Sequence, residues 1–577
     1  MEWKTCCRFA GALCAFVFIS DAYAQSISDQ VQREHEQRLR EQQERDKERS
    51  RRDQSTADVF LQPLQQQALQ NNPVAESTPC IDVKSIAVSG VTVFDYQLIS
   101  AITSSYSSRC LHLEDINHLV ADLSNLYLKE GYITSRAFVQ PQKIDKGTLD
   151  VLVIEGEIES LQSTDGKMKA GELNAAFPKR RSHVVNNGMD NSAVKNLLYL
   201  RDLEQGIEQI NRLRQNNAKL DIKPGKETGE SIVYVVNERS LPLHATLSVD
   251  NSGSKQTGLY IVNAGVFWDN LVNRSDSLNF NISRSLNGEH GGSSQSYALN
   301  YSIPHGYFLW SVGANHFSYR QMIEGASVNF KTTGKSDNQM IRMDHVVFRG
   351  QRSKVAWNIG ATRKDTKNYI EDVFLETSSR TLYLADVGIQ STYQMESATL
   401  RGALEFTRSV AAGNATKKIT AAEVDYQFSK YELDLGIYGR FGLSGRRFNY
   451  SSALHYFYTP TTIVASEALS LGGRYTVRGF DHESVTGFRG GYWRNDLSSS
   501  FFPTEQIRLE PFVALDVGHS DAPDYQQQSA TLSGGSVGLR CAMRRFYAGV
   551  TYSKALSVPR FMARGQHELA AEMQMSF

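Results

Sequence analysis

The sequence predicts a transmembrane β-barrel of about sixteen antiparallel strands, preceded by an N-terminal polar helix and two small α+β modules. Three observations carry this fold class. From 242 to 577 the chain runs in stretches of roughly ten residues that alternate apolar with polar side chains, separated by Gly, Asn, Asp and Ser clusters. No stretch beyond the N-terminus reaches about eighteen uninterrupted apolar residues, so a membrane crossing has to be made by strands closed into a barrel. Between 77 and 239 one order of elements, β-α-α-β-β, occurs twice.

At 577 residues the chain exceeds one compact domain, and its 62 basic residues balance 62 acidic ones, which speaks against a nucleic-acid-binding surface. Twenty-six tyrosines and 27 phenylalanines suit strands with one wet face and one greasy, aromatic-girdled face. Lys4 and Arg8, the apolar run 9–20 and the small-x-small triplet Ala22-Tyr23-Ala24 mark residues 1–24 as a signal peptide. An exported chain without a helical span is expected in an outer membrane. Three of the six cysteines leave with that peptide; Cys80, Cys110 and Cys541 remain, the last in a strand pattern with no partner left. In an oxidising compartment Cys80 and Cys110 are expected to form a disulfide, which would stabilise a small module by about 3 kcal/mol in the chain-entropy picture. Two buried thiols are the alternative.

Residues 25–53 hold few apolar side chains beyond Ile27, Val31 and Leu39, and they carry pairs such as Glu34 with Arg38, Glu36 with Arg40 and Glu41 with Arg45. A helix polar on all sides has no core to join. It is either solvated or laid in a polar channel, and at roughly 40 Å it is long enough to cross a membrane barrel. Residues 54–76, with Gln65-Gln66-Gln67 and Asn71-Asn72-Pro73, read as a linker.

The first module, 77–157, opens with alternating Ile81, Val83, Ile86 and Val88 and turns near Gly90. A helix through Ile116, Leu119, Val120, Leu123 and Leu126 follows, then strands around 133–139 and 149–153. The second module, 158–239, contains a helix over 200–211 with apolar residues at 200, 203, 207 and 210, a spacing that predicts one buried face. Small mixed sheets leave edge strands to which an extended polypeptide can add main-chain hydrogen bonds. A passive spacer is the other reading.

Within 242–577 the stretches 247–250, 259–267, 278–282, 297–303, 355–359, 400–406 and 424–428 are expected as strands. The terminal segment is the cleanest: Leu569, Ala571, Met573, Met575 and Phe577 face one way, Glu568, Glu572, Gln574 and Ser576 the other. A soluble β-sandwich also alternates, but it explains neither this aromatic ending nor the signal peptide.

Two stretches break the pattern. Residues 471–480, LGGRYTVRGF, place an arginine between a β-branched residue and a glycine, and residues 512–518, FVALDVG, put a lone aspartate in an apolar strand. A charge pair inside a barrel is the simplest account. Val477-Arg478-Gly479-Phe480 after Gly472-Gly473, with Phe512-x-x-x-Asp516-x-Gly518, resembles the two-partner secretion transporters, a branch of the outer-membrane barrel-assembly superfamily. The first module is similar to that superfamily's polypeptide-transport-associated (POTRA) modules in Gly131-Tyr132-Ile133-Thr134-Ser135-Arg136-Ala137 and Val153-Ile154-Glu155-Gly156. Residues 218–225 and Gly229-Glu230-Ser231 extend the likeness to the second, and Phe480 stands where tyrosine is frequent. The resemblance implies that a loop around 472–490 folds back into the barrel and pairs Arg478 with Asp516 on the inner wall. It also implies that the 25–53 helix plugs the pore and that Phe577 ends a strand read by the outer-membrane assembly machinery.

The thirteen histidines form no His-Glu-x-x-His motif, and neither a Cys-x-x-Cys of the mature chain nor a nucleophile elbow nor a phosphate-cradling glycine loop is found. No metal, cofactor or enzymatic activity is therefore expected. The reading is an outer-membrane pore that captures an unfolded exoprotein in the periplasm through its POTRA modules and moves it to the cell surface without nucleotide hydrolysis. Expected partners are that exoprotein (a haemolysin, an adhesin or a contact-dependent growth-inhibition toxin), outer-membrane lipid and the barrel assembly machinery, with no nucleic acid. The alternative is an assembly factor of the same superfamily that inserts other barrels; two modules and a charged N-terminal helix favour secretion.

Overall fold

The computed structural model describes residues 80–577 apart from 145–146, 165, 167, 179–181, 186–192, 287, 325–328, 417–423, 482 and 522–528. The expected signal peptide, polar helix and linker lie outside the described residues.

In the first module the strands Ser85–Ser89, Thr148–Ile154 and Arg136–Val139 form a sheet with Thr148–Ile154 in the middle. Two helices accompany it, α1 (Tyr96–Ser104) and α2 (Leu113–Glu130). Helix α2 starts where Asp115 accepts the His112 amide at 2.8 Å and stops at Gly131 in the left-handed conformation. Its Leu119, Leu123 and Tyr127 are fully buried in one core with Val151 and Val153 of the sheet. A short pair, Ile81–Val83 against Arg109–Leu111, precedes the expected order and carries the Cys80–Cys110 disulfide, with Cα atoms 5.4 Å apart. At the module's end the buried Glu155 accepts the amides of Thr92 at 2.7 Å and Val93 at 3.1 Å and the Tyr127 hydroxyl at 2.9 Å. Burial, reinforced by the Glu155 charge, pushes the Tyr127 hydroxyl well above its ordinary pKa and keeps it the donor.

The second module places Glu157–Ser163 parallel to Glu230–Asn237, which pairs antiparallel with Ala218–Pro224. Helices α3 (Ala170–Ala176) and α4 (Leu200–Asn211) pack there. The apolar spacing of α4 predicts one buried face, yet almost the whole helix is buried. Leu203, Ile207 and Ile210 enter the module's core, while its polar side meets turns of the barrel. Gln205 Nε2 donates to the Gly306 carbonyl at 3.2 Å, Tyr307 donates to Asp202, and Glu208 receives Arg349 Nη1 at 3.0 Å and Lys354 Nζ at 2.9 Å. The polar face is thus sealed by the barrel rim, which supplies the partners that water would otherwise give.

Sixteen long strands, from Leu243–Asp250 to His567–Ser576, pair antiparallel with their sequence neighbours, and the first pairs with the last to close the wall. Two short pieces, Val373–Phe374 and Phe501–Thr504, extend hairpin ends. Along Ile507–Ser520, Val513, Leu515 and Val517 are exposed to the lipid side, and Phe512, Ala514 and Asp516 are buried inside. The terminal strand exposes Leu569, Met573 and Met575, and Phe577, also exposed, exchanges backbone hydrogen bonds with Ala245. Cys541 lies free in the strand Ala530–Met543.

One expected strand is absent. Residues 424–428 lie before the strand Ser429–Leu443, and their alternating Val424, Tyr426 and Phe428 pack into a cluster inside the barrel mouth. That apolar rhythm is satisfied by an inner core, not by a wall with a lipid face.

Replacing Cys80 and Cys110 by serine is expected to lower the first module's stability by about 3 kcal/mol. Limited proteolysis of the full-length protein across a urea series reads this as an earlier midpoint for cleavage within 80–156; an unchanged midpoint would show that the bridge adds nothing.

Candidate functional site

Between the strands Arg446–Tyr458 and Arg489–Ser499 the chain leaves the wall for residues 459–488 and folds inward, a longer loop than the 472–490 expected. It carries its own hairpin, Leu469–Leu471 against Val485–Gly487, and the Thr476 hydroxyl closes the turn on Gly472, accepting its amide at 3.0 Å. Leu469, Leu471, Val477, Phe480 and Val485 are buried in one cluster with Tyr492, Leu532 and Ala555 of the wall. Phe480 is 1% exposed there, so a tyrosine hydroxyl at this position would need a polar partner inside an apolar cluster. Gly479 adopts φ +97° against the Lys554–Ala555 backbone, and a Cβ on Gly534 would stand 1.8 Å from the Arg478 carbonyl oxygen. Both glycines let backbone meet backbone.

The structure brings Arg478 and Asp516 together. Arg478 Nε and Nη2 donate to the two Asp516 carboxylate oxygens at 2.6 Å each, and the Arg478 amide adds a third bond at 3.1 Å. The arginine is 5% and the aspartate 4% exposed. Such a two-pronged pair fixes direction as well as distance. Phe512 and Gly518 flank Asp516 on the same inner face; Gly518 leaves room for Val477, and Phe512 lies under the Arg540 guanidinium at 4.0 Å.

Several partners are absent from the sequence reading. Asp496 accepts Arg478 Nη2 at 2.6 Å and Arg540 Nη2 at 3.2 Å, so the arginine sits between two carboxylates. Its signal was available: Arg494 and Asp496 share one face of a strand whose other face shows Trp493 and Leu497. At the loop's other end Glu467, 4% exposed, accepts Lys364 Nζ at 2.5 Å and Lys430 Nζ at 3.3 Å, while Arg380 reaches Ser466 at 2.9 Å. A single glutamate in a loop gives no hint of such distant lysines. Arg494 Nη1 also donates to the Tyr475 carbonyl at 2.8 Å, and Arg474 Nε to Glu568 at 2.9 Å. The loop is therefore anchored to opposite sides of the wall and lies across the lumen. Among the described residues no cluster of metal-ligating side chains occurs.

A closed sixteen-stranded barrel that carries POTRA-like modules at one end and holds a loop across its lumen defines a class of outer-membrane transporter. The chain belongs to the ShlB/FhaC/HecB family of haemolysin secretion/activation proteins, which matches residues 229–541. A POTRA domain of ShlB type matches 81–156 and a further POTRA domain 191–224. The outer membrane transporter CdiB of Dickeya dadantii is 29% identical over 566 residues, 96% of each chain. The hemolysin transporter ShlB of Serratia marcescens is 30% identical over 462 residues, 79% of each. The solved structure of CdiB from Escherichia coli superposes with a TM-score of 0.83 at 26% identity, covering 93% of this chain and 98% of that one. The protein is thus a two-partner secretion transporter of the outer membrane with its POTRA modules in the periplasm, and the family consists of transporters, not enzymes.

Asp516→Ala leaves Arg478 with Asp496 alone, and breaking a buried pair this way costs about 3–5 kcal/mol. Asp496→Ala is expected to cost less, since the bidentate bond to Asp516 remains. Trypsin added to intact cells should cut within 459–488 in the first variant and spare the second. Exchanging the charges, Arg478→Asp with Asp516→Arg, should not reseat the loop, because the new carboxylate at 478 faces Asp496.

Proposed function

We propose that this transporter captures an unfolded exoprotein on its periplasmic modules, threads it through the lumen of 242–577 and releases it outside without nucleotide hydrolysis. The observation that carries the reading is a loop seated across the lumen by buried charges, which makes a resting barrier that can be withdrawn whole. Unlike a covalent plug, an ion pair exchanges for water or for another charge without chemistry. The sheets of both modules end in edge strands, Ser85–Ser89 and Ala218–Pro224 among them, that suit main-chain pairing with an extended client of any sequence. Transport then runs downhill, since a client that folds outside is withdrawn from the threaded state.

In this account Arg478 and Asp516 are the lock, Gly472, Gly473, Val477, Gly479 and Phe480 shape the loop that carries it, and residues 25–53 act as a second barrier in the pore. Phe577 serves the barrel's own insertion through the assembly machinery, and the outer face meets lipid. The relative named as a hemolysin transporter supports an exoprotein of the haemolysin kind. Assembly of other outer-membrane barrels is the second reading, favoured only by membership of the wider superfamily.

Arg478→Ala should abolish secretion of the transporter's exoprotein at unchanged outer-membrane abundance; undiminished secretion would remove the lock from the mechanism. Deleting 25–53 should raise conductance in a planar bilayer, and an unchanged conductance would remove that segment as a barrier.

A further inference from the structure

On one side of the barrel the outward face changes chemistry at a single height. In the strand Ser353–Ile370, Lys354 meets Glu208 of the second module at the periplasmic end, and Lys364 points into the lumen at Glu467. The residues between alternate, so Val355, Trp357, Ile359 and Ala361 face the lipid, and Arg363, Asp365 and Lys367 follow them on the same face. From Val355 to Arg363 the strand climbs roughly 20 Å at its usual rise and tilt, close to the apolar height of about 25 Å in an outer-membrane wall. The strand Phe308–Glu324 repeats the switch: Trp310, Val312 and Ala314 are exposed to lipid, and His316 and Ser318 come next. These polar residues stand at the level of the outer-leaflet headgroups.

The register lines them up. Arg284, Gln295, Ser318, Lys335 and Lys367, one from each of five consecutive strands, are direct cross-strand partners and share the outward face. Lys335 and Lys367 are both exposed and sit opposite each other, an arrangement of like charges that weakens a sheet unless an anion lies between them. Two carboxylates occupy the row beneath, and both are engaged. Asp337 binds His316 at 2.7 Å, and Asp365 binds Lys367 at 3.4 Å, Arg363 Nη2 at 3.7 Å and the Thr381 hydroxyl at 2.8 Å. Lys335 has no ion-pair partner among the described residues. Arg284, Lys335, Arg363 and Lys367 thus outnumber the carboxylates of these rows and leave a positive belt where lipid headgroups begin.

We propose that this belt binds the phosphorylated headgroup of an outer-leaflet glycolipid, with one phosphate between Lys335 and Lys367, Arg363 beneath them, and the acyl chains on the apolar strip below. Ammonium groups hold a phosphate as point charges, and a guanidinium grips two of its oxygens at once. The anion turns the facing lysines from a repulsive pair into a shared clamp. The belt lies on the lipid side of the wall, so a polypeptide in the lumen does not meet it, and the site stands independently of how the loop moves. A lipid held there fixes the height of the wall in the outer leaflet.

Native mass spectrometry of the full-length protein in detergent micelles, titrated with bis-phosphorylated lipid A, tests this. The wild type should retain a single lipid A, and Lys335→Gln with Lys367→Gln should weaken that retention by about tenfold. Lipid A stripped of both phosphates should bind the wild type no better than the intact lipid binds the double variant. Inorganic phosphate in large excess should not displace the lipid, since it has no acyl chains to lay on the wall. Lys554→Gln, which removes an exposed lysine from the strand Phe546–Ser557, should leave retention unchanged. Lys335→Glu alone carries the test if the double variant does not assemble. Equal retention by wild type and variant, indifference to the lipid's phosphates, or displacement by inorganic phosphate overturns the proposal. An equal loss with Lys554→Gln also overturns it, because it would mean unspecific attraction to surface charge.

Discussion

A guanidinium that is only 5% exposed inside a barrel wall has lost most of its water, and the penalty for such a transfer is several kcal/mol unless fixed partners replace the hydration shell. Arg478 finds those partners in one place. Two oxygens of Asp516 and one of Asp496 surround it, and these carboxylates lie on neighbouring strands whose inward faces are set by the two-residue period of the wall. Moving the loop by one residue would turn Arg478 away from both. Position and depth of the loop therefore follow from a single charge that has nowhere else to go.

The remaining architecture supports that placement. Val477 and Phe480 flank the arginine and fill an apolar cluster that excludes water from the pair, while Glu467 and Arg474 tie the loop to other parts of the wall. At the periplasmic end, the second module is joined to the barrel through Glu208 with Arg349 and Lys354 and through the backbone of Gly306 with Ala175. In the proposed function, this junction holds a client gripped on that module at a fixed position relative to the lumen entrance. Charged pairs thus seat both the second module on the barrel rim and the loop inside the wall, and the loop's pairs are the ones that hold an element across the lumen.

The period-2 pattern was legible because a membrane wall has two chemically different faces, and each strand must report both. Arg478 and Asp516 were legible for the opposite reason, as charges that violate the pattern. What escaped the sequence depended on partners distant in the chain. The stretch 424–428 alternates like a strand, but Tyr426 and Phe428 alternate against the inserted loop. The polar side of α4 looks solvent-facing until the barrel rim covers it, and Glu467 is ordinary until Lys364 and Lys430 converge on it. The loop begins at 459, earlier than its glycines suggest, because Ile463 and Val464 are buried as part of its apolar anchor.

Whether this loop must leave its seat for transport can be measured with a covalent tether. A Cβ on Gly518 would lie 2.7 Å from Cγ2 of Val477, so Val477→Cys with Gly518→Cys places two sulfurs where a disulfide between loop and wall can form. Secretion of the exoprotein by cells carrying this pair should stop under oxidant and resume with a membrane-permeant reductant, with outer-membrane abundance constant. Secretion that continues with the tether fully oxidised would contradict the account.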